Sequence, residues 1–217
     1  MLTVSNVSFA YRRRNILQDV SFTLNAGEAL VIAGPNGCGK STLLSVLSGA
    51  LSGYSGTIHL DGERMGMVPQ GNAVFNDLTV LENLEFFSRL AHKPLTRPLP
   101  MGLERFADRK AGQLSGGYQK RLAIACTQVS DPDIWLFDEP CASLDIVWRD
   151  EMIGTILALK NAGHGIVYVG HDPAEFISFY DAILFLQNGH GRLIHRSEIP
   201  QGTEYTLFHQ LIRETAG

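Results

Sequence analysis

The sequence has few of the features that mark disulfide-stabilised, membrane-spanning or nucleic-acid-binding proteins. Its three cysteines, Cys38, Cys126 and Cys141, are odd in number and scattered, which excludes a disulfide framework or a CxxC metal pair. A reducing, intracellular environment is therefore expected. No apolar run reaches the ~20 residues that a bilayer-spanning helix needs. Only 18% of the residues are charged, and the net charge of −4 argues against nucleic acid as the main partner.

The residues that are abundant suit one compact domain. Hydrophobic residues make up 45% of the 217, and this length fits a single domain with a small inserted lobe. The N-terminus has its basic run after its apolar residues, which is the reverse of a signal peptide. Glycine is frequent, with 22 residues against nine prolines, and the glycines are not spread like those of a linker.

Short apolar runs alternate with helical patterns along most of the chain. Strands are predicted at residues 2–9, 16–24, 29–33, 57–60, 65–68, 134–137, 166–169 and 183–186. Helices are predicted at 41–47, 80–92, 112–127 (beginning as a loop), 148–162, 174–179 and 203–214. This alternation predicts an α/β fold with a parallel sheet. The domain limits predicted from it are a core at 1–70 and 131–217 and a helical lobe at 71–130.

The glycines concentrate first in a phosphate-binding pattern. Residues 34–41, GPNGCGKS, fit G-x-x-x-x-G-K-[ST] between a buried strand and a helix, so a chance glycine-rich turn is a poor alternative. Glycines let backbone N–H groups surround a phosphate, and the helix N-terminus adds its positive end. Lys40 is expected at the β/γ-phosphates and Ser41 at Mg²⁺. The residues predicted to bind nucleotide here are Asn36, Gly37, Cys38, Gly39, Lys40, Ser41 and Thr42.

An acidic pair, Asp138 and Glu139, follows the apolar run at 134–137. Ligands of open α/β sheets bind at the carboxyl ends of the strands, which is where these carboxylates are expected. Asp138 is the predicted Mg²⁺ partner, and Glu139 is predicted to orient or deprotonate an attacking water. An exposed acidic pair at a strand end is the simpler alternative, which the accompanying phosphate loop disfavours.

The run at 114–120, LSGGYQK, resembles the signature sequence of ABC-transporter ATPase domains, usually written LSGGQ. Tyr118 stands where that family most often has glutamine. The local chemistry agrees, because Ser115 can cap the helix that follows and Gly116 and Gly117 let a ligand approach its end. An ordinary Ser-Gly-Gly helix start is the alternative, and the order of the other motifs disfavours it.

The resemblance implies roles for further residues, in the family's order, over about residues 4 to 181. Gln70 is implied to contact Mg²⁺ and water, and Asp145, in the SLD run at 143–145, is implied to touch the opposite subunit. His171 is implied to contact the γ-phosphate, and Tyr11 to stack on adenine. Three of these residues have a simpler alternative: Gln70 as a polar turn residue, His171 as a histidine bonded to a backbone carbonyl, and Tyr11 as a packed aromatic. The arginines at 12–14 are expected to form a solvated turn, with an approach to the nucleotide as the alternative.

The resemblance also implies an architecture and an assembly. The fold class is α/β, a P-loop NTPase core with a mostly parallel sheet, an N-terminal antiparallel β subdomain and an inserted α-helical subdomain. With one copy of each motif, ATP and Mg²⁺ are expected between the phosphate loop of one chain and the signature of another. The implied partners are a second ATPase subunit and an integral permease, on the cytoplasmic face of a membrane, and no nucleic acid.

Two lengths favour one branch of this family. Gln70 and Ser115 are separated by 44 residues, so the helical lobe is compact. Little chain follows the last predicted strand, so no C-terminal regulatory domain is expected. This compactness resembles the ATPase subunits of small exporters, and export is therefore favoured over import.

Two other functions are the alternatives. A soluble ATP-driven switch acting on a ribosome or a nucleic-acid complex usually carries two ATPase units or a coiled-coil insertion, and the sequence has neither. A nucleotide sensor without hydrolysis is disfavoured by the catalytic residues. A neighbouring reading frame that encodes an apolar multi-span protein would distinguish a transporter from a switch.

Two cysteines depart from the family's usual residues. Cys38 stands where a small Ala or Ser is common, and its small size is the simpler explanation. A thiol near a helix N-terminus can also have a lowered pKa and a raised reactivity. The resulting hypothesis is that alkylation of Cys38 blocks nucleotide binding and that ATP protects it. Cys141 is predicted to pack in the core.

Overall fold

The computed structural model describes residues 1–71, 73–142 and 144–214, which form two sheets and their flanking helices. The strands are β1 (Leu2–Tyr11), β2 (Arg14–Leu24), β3 (Ala29–Ala33), β4 (Ser55–Leu60), β5 (Met65–Val68), β6 (Ile134–Asp138), β7 (Gly165–Val169), β8 (Ala182–Gln187) and β9 (His190–His195). The α-helices are α1 (Lys40–Leu47), α2 (Val80–Leu90), α3 (Gly116–Val129), α4 (Ile146–Asn161), α5 (Pro173–Phe176) and α6 (Glu204–Glu214).

The N-terminal sheet is antiparallel, with the order β2-β1-β4. In β1 the buried positions change from even to odd numbers, since Leu2, Val4, Val7 and Phe9 are all buried. The change falls at an irregularity between Val4 and Val7, where Asn6 has a φ of 50°. An extra residue of this kind bends a strand and moves its side chains to the other face, so the apolar side chains before and after it both reach the core.

The central sheet has the order β5-β6-β7-β3-β8-β9 and is parallel except for β9, which runs antiparallel to β8. Every residue of β3, β6 and β7 is buried, as expected for strands covered on both faces. One face contributes to a core shared with the N-terminal sheet and α1. The other packs on side chains of α4, α5 and α6. The predicted fold class is confirmed.

The sequence-based element bounds need two corrections. Strand β9 was not predicted, because its run HGRLIH mixes polar residues and glycine with only two large apolar side chains. The helix predicted at 174–179 is shorter, since α5 ends at Phe176 and the chain then turns back so that Tyr180 N donates to Phe176 O. The strands predicted at 29–33 and 65–68 have the bounds of β3 and β5.

A third apolar core joins α2 to α3. It contains Val80, Leu84, Leu103 and Leu122, all fully buried. Short 3₁₀ turns carry the chain between the two helices. The domain limits at 1–70, 71–130 and 131–217 stay a prediction. Across the described ranges, no helix combines the length and the apolar character needed to cross a bilayer.

The start of α2 depends on one fully buried amide, Asn83. Its Oδ1 accepts from Phe75 N at 2.8 Å, and its Nδ2 donates to Phe75 O at 3.0 Å and to Thr79 O at 2.9 Å. Thr79 and Glu82 add a reciprocal capping box. Asn83 therefore holds the segment before α2 to the helix at two of its backbone positions, Phe75 and Thr79.

We expect Asn83→Ala to lower the free energy of unfolding by about 2 kcal/mol, because buried backbone groups lose their partners. Urea denaturation measures this change. Asn25→Ala is the matched control, since that amide is exposed and donates to Glu28, and its loss should cost less than about 0.5 kcal/mol. Equal destabilisation by the two variants would contradict the role of Asn83.

Candidate functional site

Four neighbouring parallel strands end at one edge of the central sheet, and the predicted site residues follow them. The phosphate loop follows β3, Glu139 follows β6, and His171 lies two residues after β7. Gln70 lies two residues after β5, while Asp138 is the last residue of β6. Since the order of these strands is β5-β6-β7-β3, their carboxyl ends form one continuous row.

The phosphate loop has the backbone that a bound phosphate needs. Gly34, Gly37 and Gly39 have φ values of 144°, 78° and 114°, a region in which other residues are strained. A Cβ at Gly34 would also overlap the carbonyl oxygen of Leu186, so this glycine is required by packing as well. The loop ends where α1 begins at Lys40, without a side-chain cap on the N–H groups of its first turn.

Lys40 is buried, and its amine turns back onto the loop. The Nζ atom donates to the carbonyl oxygens of Gly34 at 2.9 Å and Pro35 at 3.1 Å. A cation bonded to carbonyls beside an uncapped helix start fits an anionic ligand. Asn36 and Gly37 are exposed at the tip of the loop, and Thr42 is half-buried in α1.

Ser41 and Asp138 lie together, as their predicted roles require. Ser41 Oγ donates to Asp138 Oδ1 at 3.3 Å, and the carboxylate is buried. Burial is the main cause that raises the pKa of Asp138 above its usual range. A hydroxyl and a carboxylate beside the phosphate loop are the oxygen ligands that Mg²⁺ prefers, so these residues fit the ion.

Glu139 is held on both of its carboxylate oxygens. Gln70 Nε2 donates to Oε2 at 2.8 Å, and His171 Nε2 contacts Oε1 at 2.5 Å. The backbone of Glu139 has a φ of 45° and its N–H donates to Val169 O. A residue with a Cβ is uncommon in this left-handed region, and such conformations concentrate at functional sites. The three residues assigned to catalysis from the sequence are therefore in direct contact.

The turn between β1 and β2 borders the phosphate loop. A recess of about 330 Å³ lies between Arg14 and Ile16 on one side and Asn36 and Gly37 on the other. Tyr11 pairs with Arg14 across the hairpin and is half exposed, with the ring edge-on to Phe9. Of the three arginines, Arg14 thus lines a space beside the loop.

The signature residues lie at the start of α3. Ser115 occupies the N-cap position, but the expected side-chain cap is absent from the bonds of the described residues. Gly116 is open, whereas a Cβ at Gly117 would overlap the ring of Trp148 on α4. Gly117 therefore also serves close packing between α3 and α4, which the sequence did not indicate. Asp145 caps α4, its Oδ1 accepting from Trp148 N at 3.0 Å, and Ser143 lies outside the described residues.

Tyr118, where the family usually has glutamine, takes part in an aromatic group. Its ring lies 4.4 Å from that of Phe106 and meets Trp148 edge-on at 4.9 Å. The Arg121 guanidinium lies over both Tyr118 and Trp148. Such tilted and edge-on ring contacts, with a cation over the ring faces, favour a fixed orientation. The group joins the signature to the helix that follows Asp145. Sequence reasoning missed Trp148, because only its contact with Gly117 gives it importance.

The described cysteines are all free and buried. Burial raises the pKa of Cys38, and it raises the pKa of Cys126 to about 12 and that of Cys141 to about 11. The lowered pKa considered for Cys38 is therefore not found, because desolvation outweighs the charge of Lys40. That alkylation of Cys38 blocks nucleotide binding stays a prediction.

Residues 17–142 match the protein family described as ABC transporter, and this segment is more than half of the chain. The chain belongs to the ABC transporter family. Its relatives are ATP-binding subunits, and the chain is accordingly an ATPase of the kind coupled to transport. The sequence-based assignment to this family is confirmed.

Two relatives illustrate the similarity. The taurine import ATP-binding protein TauB of Pelagibacter ubique (strain HTCC1062) is 35% identical over 200 residues, covering 85% of this chain and 76% of that protein. The spermidine/putrescine import ATP-binding protein PotA of Aggregatibacter actinomycetemcomitans is 36% identical over 208 residues, covering 87% and 56%. This chain thus spans little more than half the length of PotA.

Two solved structures share the fold. A structure of the ATP-binding subunit of an ABC transporter matches with a TM-score of 0.82 and 24% identity, covering 100% of both chains. At that identity it shows the fold alone. The dimeric structure of a bacterial ABC transporter cassette matches with a TM-score of 0.79 and 28% identity, covering 90% of this chain and 98% of that one.

We expect Gly117→Ala to lower the free energy of unfolding by about 1–3 kcal/mol, because the added methyl group overlaps the Trp148 ring. Thermal or urea unfolding measures the loss. The control is Gly116→Ala, whose methyl group meets open space and which should change stability by less than about 0.5 kcal/mol. If both variants unfold like the parent protein, the close contact of α3 and α4 is contradicted.

Proposed function

We propose that this ABC ATPase binds ATP with Mg²⁺ at the phosphate loop and hydrolyses it with Glu139 as the carboxylate that orients water. The energy drives import of a small solute through a separate permease. The observation that carries the proposal is the contact of Glu139 with both Gln70 and His171, beside Ser41 and Asp138. No other arrangement in the described ranges joins a phosphate loop to a water-orienting carboxylate.

The residues around the phosphate loop bind different parts of the nucleotide and the metal ion. Lys40 and the N–H groups at the start of α1 bind the β/γ-phosphates, and Asn36, Gly37 and Gly39 keep the loop open to them. Tyr11 stacks on the adenine, with the recess at Arg14 alongside. Ser41, Asp138 and Gln70 hold Mg²⁺, which when bound supplies positive charge to the phosphate oxygens.

The contacts of Glu139 define what catalysis requires of the chain. Each carboxylate oxygen is bonded to one neighbouring side chain and keeps a second lone pair, with which Glu139 can accept a hydrogen bond from water. His171 is exposed enough to turn from Glu139 toward the γ-phosphate, and Gln70 can turn toward the ion. The three residues therefore act together on the attacking water.

A second ATPase subunit completes the site. The chain has one phosphate loop and one signature. The signature segment packs against α4 of the same chain. Ser115, Gly116 and Gly117 of a second subunit close over the nucleotide, with Asp145 at the contact. A homologous cassette of 28% identity has been solved as a dimer, which supports this assembly.

The permease binds an aromatic surface on the lobe. Phe75 and Phe86 are 46% and 44% exposed and meet edge-on at 4.9 Å, with Phe87 behind them. Leu90 on the same helix is also exposed. A cluster of exposed aromatic side chains on the lobe that follows Gln70 suits a protein partner.

The sequence-based expectation of export is not supported by the relatives, and we replace it with import. TauB and PotA are both named as import proteins. The expectation depended on the length of the lobe and of the chain end, and neither feature touches the path of the solute. Direction belongs to the permease, so cassette length is a poor guide. The names of the two relatives give different solutes, although both are similarly identical to this chain. The permease therefore also selects the solute.

We expect Glu139→Gln to retain ATP binding but to lose hydrolysis by about 100-fold or more, since an amide cannot act as the base. ATP affinity by equilibrium binding and phosphate release by a coupled assay give the two readouts. With ATP, the variant should also elute as a trapped dimer. The control is Glu198→Gln, an exposed carboxylate in a 3₁₀ turn far along the chain. Parent-like turnover by Glu139→Gln would remove Glu139 from its role.

We expect Phe86→Glu to prevent copurification with the proposed permease subunit, because a charge enters an apolar contact. ATPase activity of the purified chain should not change. Tyr205→Glu, at an exposed position of α6, is the matched control and should copurify normally. Recovery of both variants with ribosomes or nucleic acid instead would favour the soluble switch.

A further inference from the structure

A buried lysine, Lys120, joins the signature helix to the segment of Gln70. It lies on α3 and is only 4% exposed. Its Nζ donates to Gln70 O at 2.8 Å and to Pro69 O at 3.1 Å. Lysine is among the residues least often fully buried, so a buried ammonium whose protein partners are two backbone carbonyls of a loop needs a reason.

Burial makes the charged form of Lys120 energetically unfavourable. Burial lowers the pKa of Lys120, and the negative charge of the Asp138 carboxylate opposes this effect. An apolar residue would fill the same space between α3 and β5 more cheaply. The bonds to the two carbonyls are what an apolar residue could not replace, because Pro69 and Gln70 follow β5 without a strand partner for those oxygens.

The same loop leads directly to the catalytic carboxylate. Lys120 holds the Gln70 carbonyl, while the side chain of Gln70 donates to Glu139 Oε2 at 2.8 Å. A second contact keeps α3 beside β5, since Thr127 Oγ1 donates to Met67 O at 3.3 Å. A shift of α3 therefore moves the backbone of Gln70, and with it the amide bonded to Glu139.

We propose that Lys120 is a positioning residue that couples the signature helix α3 to Glu139 through Gln70. The proposal rests on the hydrolytic role of Glu139 given above. Lys120 reaches neither the nucleotide nor the water in this role. It fixes where the Gln70 amide stands, so that movement of the signature is transmitted to the carboxylate as a change in one hydrogen bond.

The first test is Lys120→Met, which keeps an unbranched apolar stem of similar volume but removes the donors of the side chain. We expect kcat for ATP hydrolysis to fall about tenfold while KM changes by less than about twofold, because geometry and not binding is lost. Lys120→Gln, which can still donate to the Gln70 carbonyl, should restore kcat to within about threefold of the parent. If Lys120→Gln is as slow as Lys120→Met, charge and not the hydrogen bond matters, and the proposal is overturned.

A matched lysine separates positioning from stability. Lys160 Nζ donates to Phe179 O at 2.7 Å and to Asp181 Oδ1 at 3.0 Å, away from the site. Lys160→Met should lower the melting temperature but leave kcat unchanged. Lys120→Met should lower kcat at temperatures where it is fully folded by circular dichroism. A parent-like kcat for folded Lys120→Met contradicts the proposal.

A double-mutant cycle tests the path itself. In a Gln70→Ala background the effect of Lys120→Met on kcat should shrink to less than about twofold. The amide side chain that contacts Glu139, through which Lys120 acts, is absent from that variant. A full tenfold effect in that background would mean that Lys120 does not act through Gln70. Glu139→Gln in the same assay keeps the two proposals apart. If Glu139→Gln turns over normally the proposed function fails, whereas loss there with a normal Lys120→Met defeats only the coupling.

Discussion

The site depends on one constraint, which is that parallel strands all end at the same edge of their sheet. The order β5-β6-β7-β3 places Gln70, Glu139, His171 and the phosphate loop in one row, although they are far apart in the chain. The continuous burial of β3, β6 and β7 makes this order rigid, because a slip of register would carry apolar side chains into the wrong layer. Short polar loops can then hold the reacting groups on a stable base.

The lobe that carries the signature touches this base through contacts of two kinds. Trp148 lies against Gly117 and Tyr118, where close packing and an edge-on ring contact favour one orientation of α3 on α4. Lys120 makes hydrogen bonds to the loop after β5. Packing contacts of the first kind are lost steeply with distance, whereas hydrogen bonds can exchange partners. The two attachments of α3 therefore respond differently when the lobe moves.

Much of the site could be predicted because its residues lie in short continuous runs. The phosphate loop and the pair Asp138–Glu139 are local patterns set between apolar strands, and both are at the expected strand ends. Gln70 and His171 were predicted only from the family resemblance, yet they contact Glu139. Their mutual contacts depend on strand order, which no short run of sequence encodes.

The residues that sequence reasoning missed act through distant contacts. Lys120 looks like one more surface lysine of a helix until its bonds to a loop 50 residues away are known. The role of Trp148 could not be predicted from sequence either, since only its contact with Gly117 explains its position. Strand β9 was missed for another reason, as an edge strand needs few apolar residues.

The buried cysteines have a practical consequence for studying movement of the lobe. Thiol-reactive dyes attack the thiolate, and burial both shields Cys38, Cys126 and Cys141 and keeps them protonated near neutral pH. A cysteine introduced on the surface, for example in place of exposed Asp150, reacts well ahead of the native thiols. The folded protein can therefore carry a fluorophore pair across α3 and α4 with its own cysteines left in place.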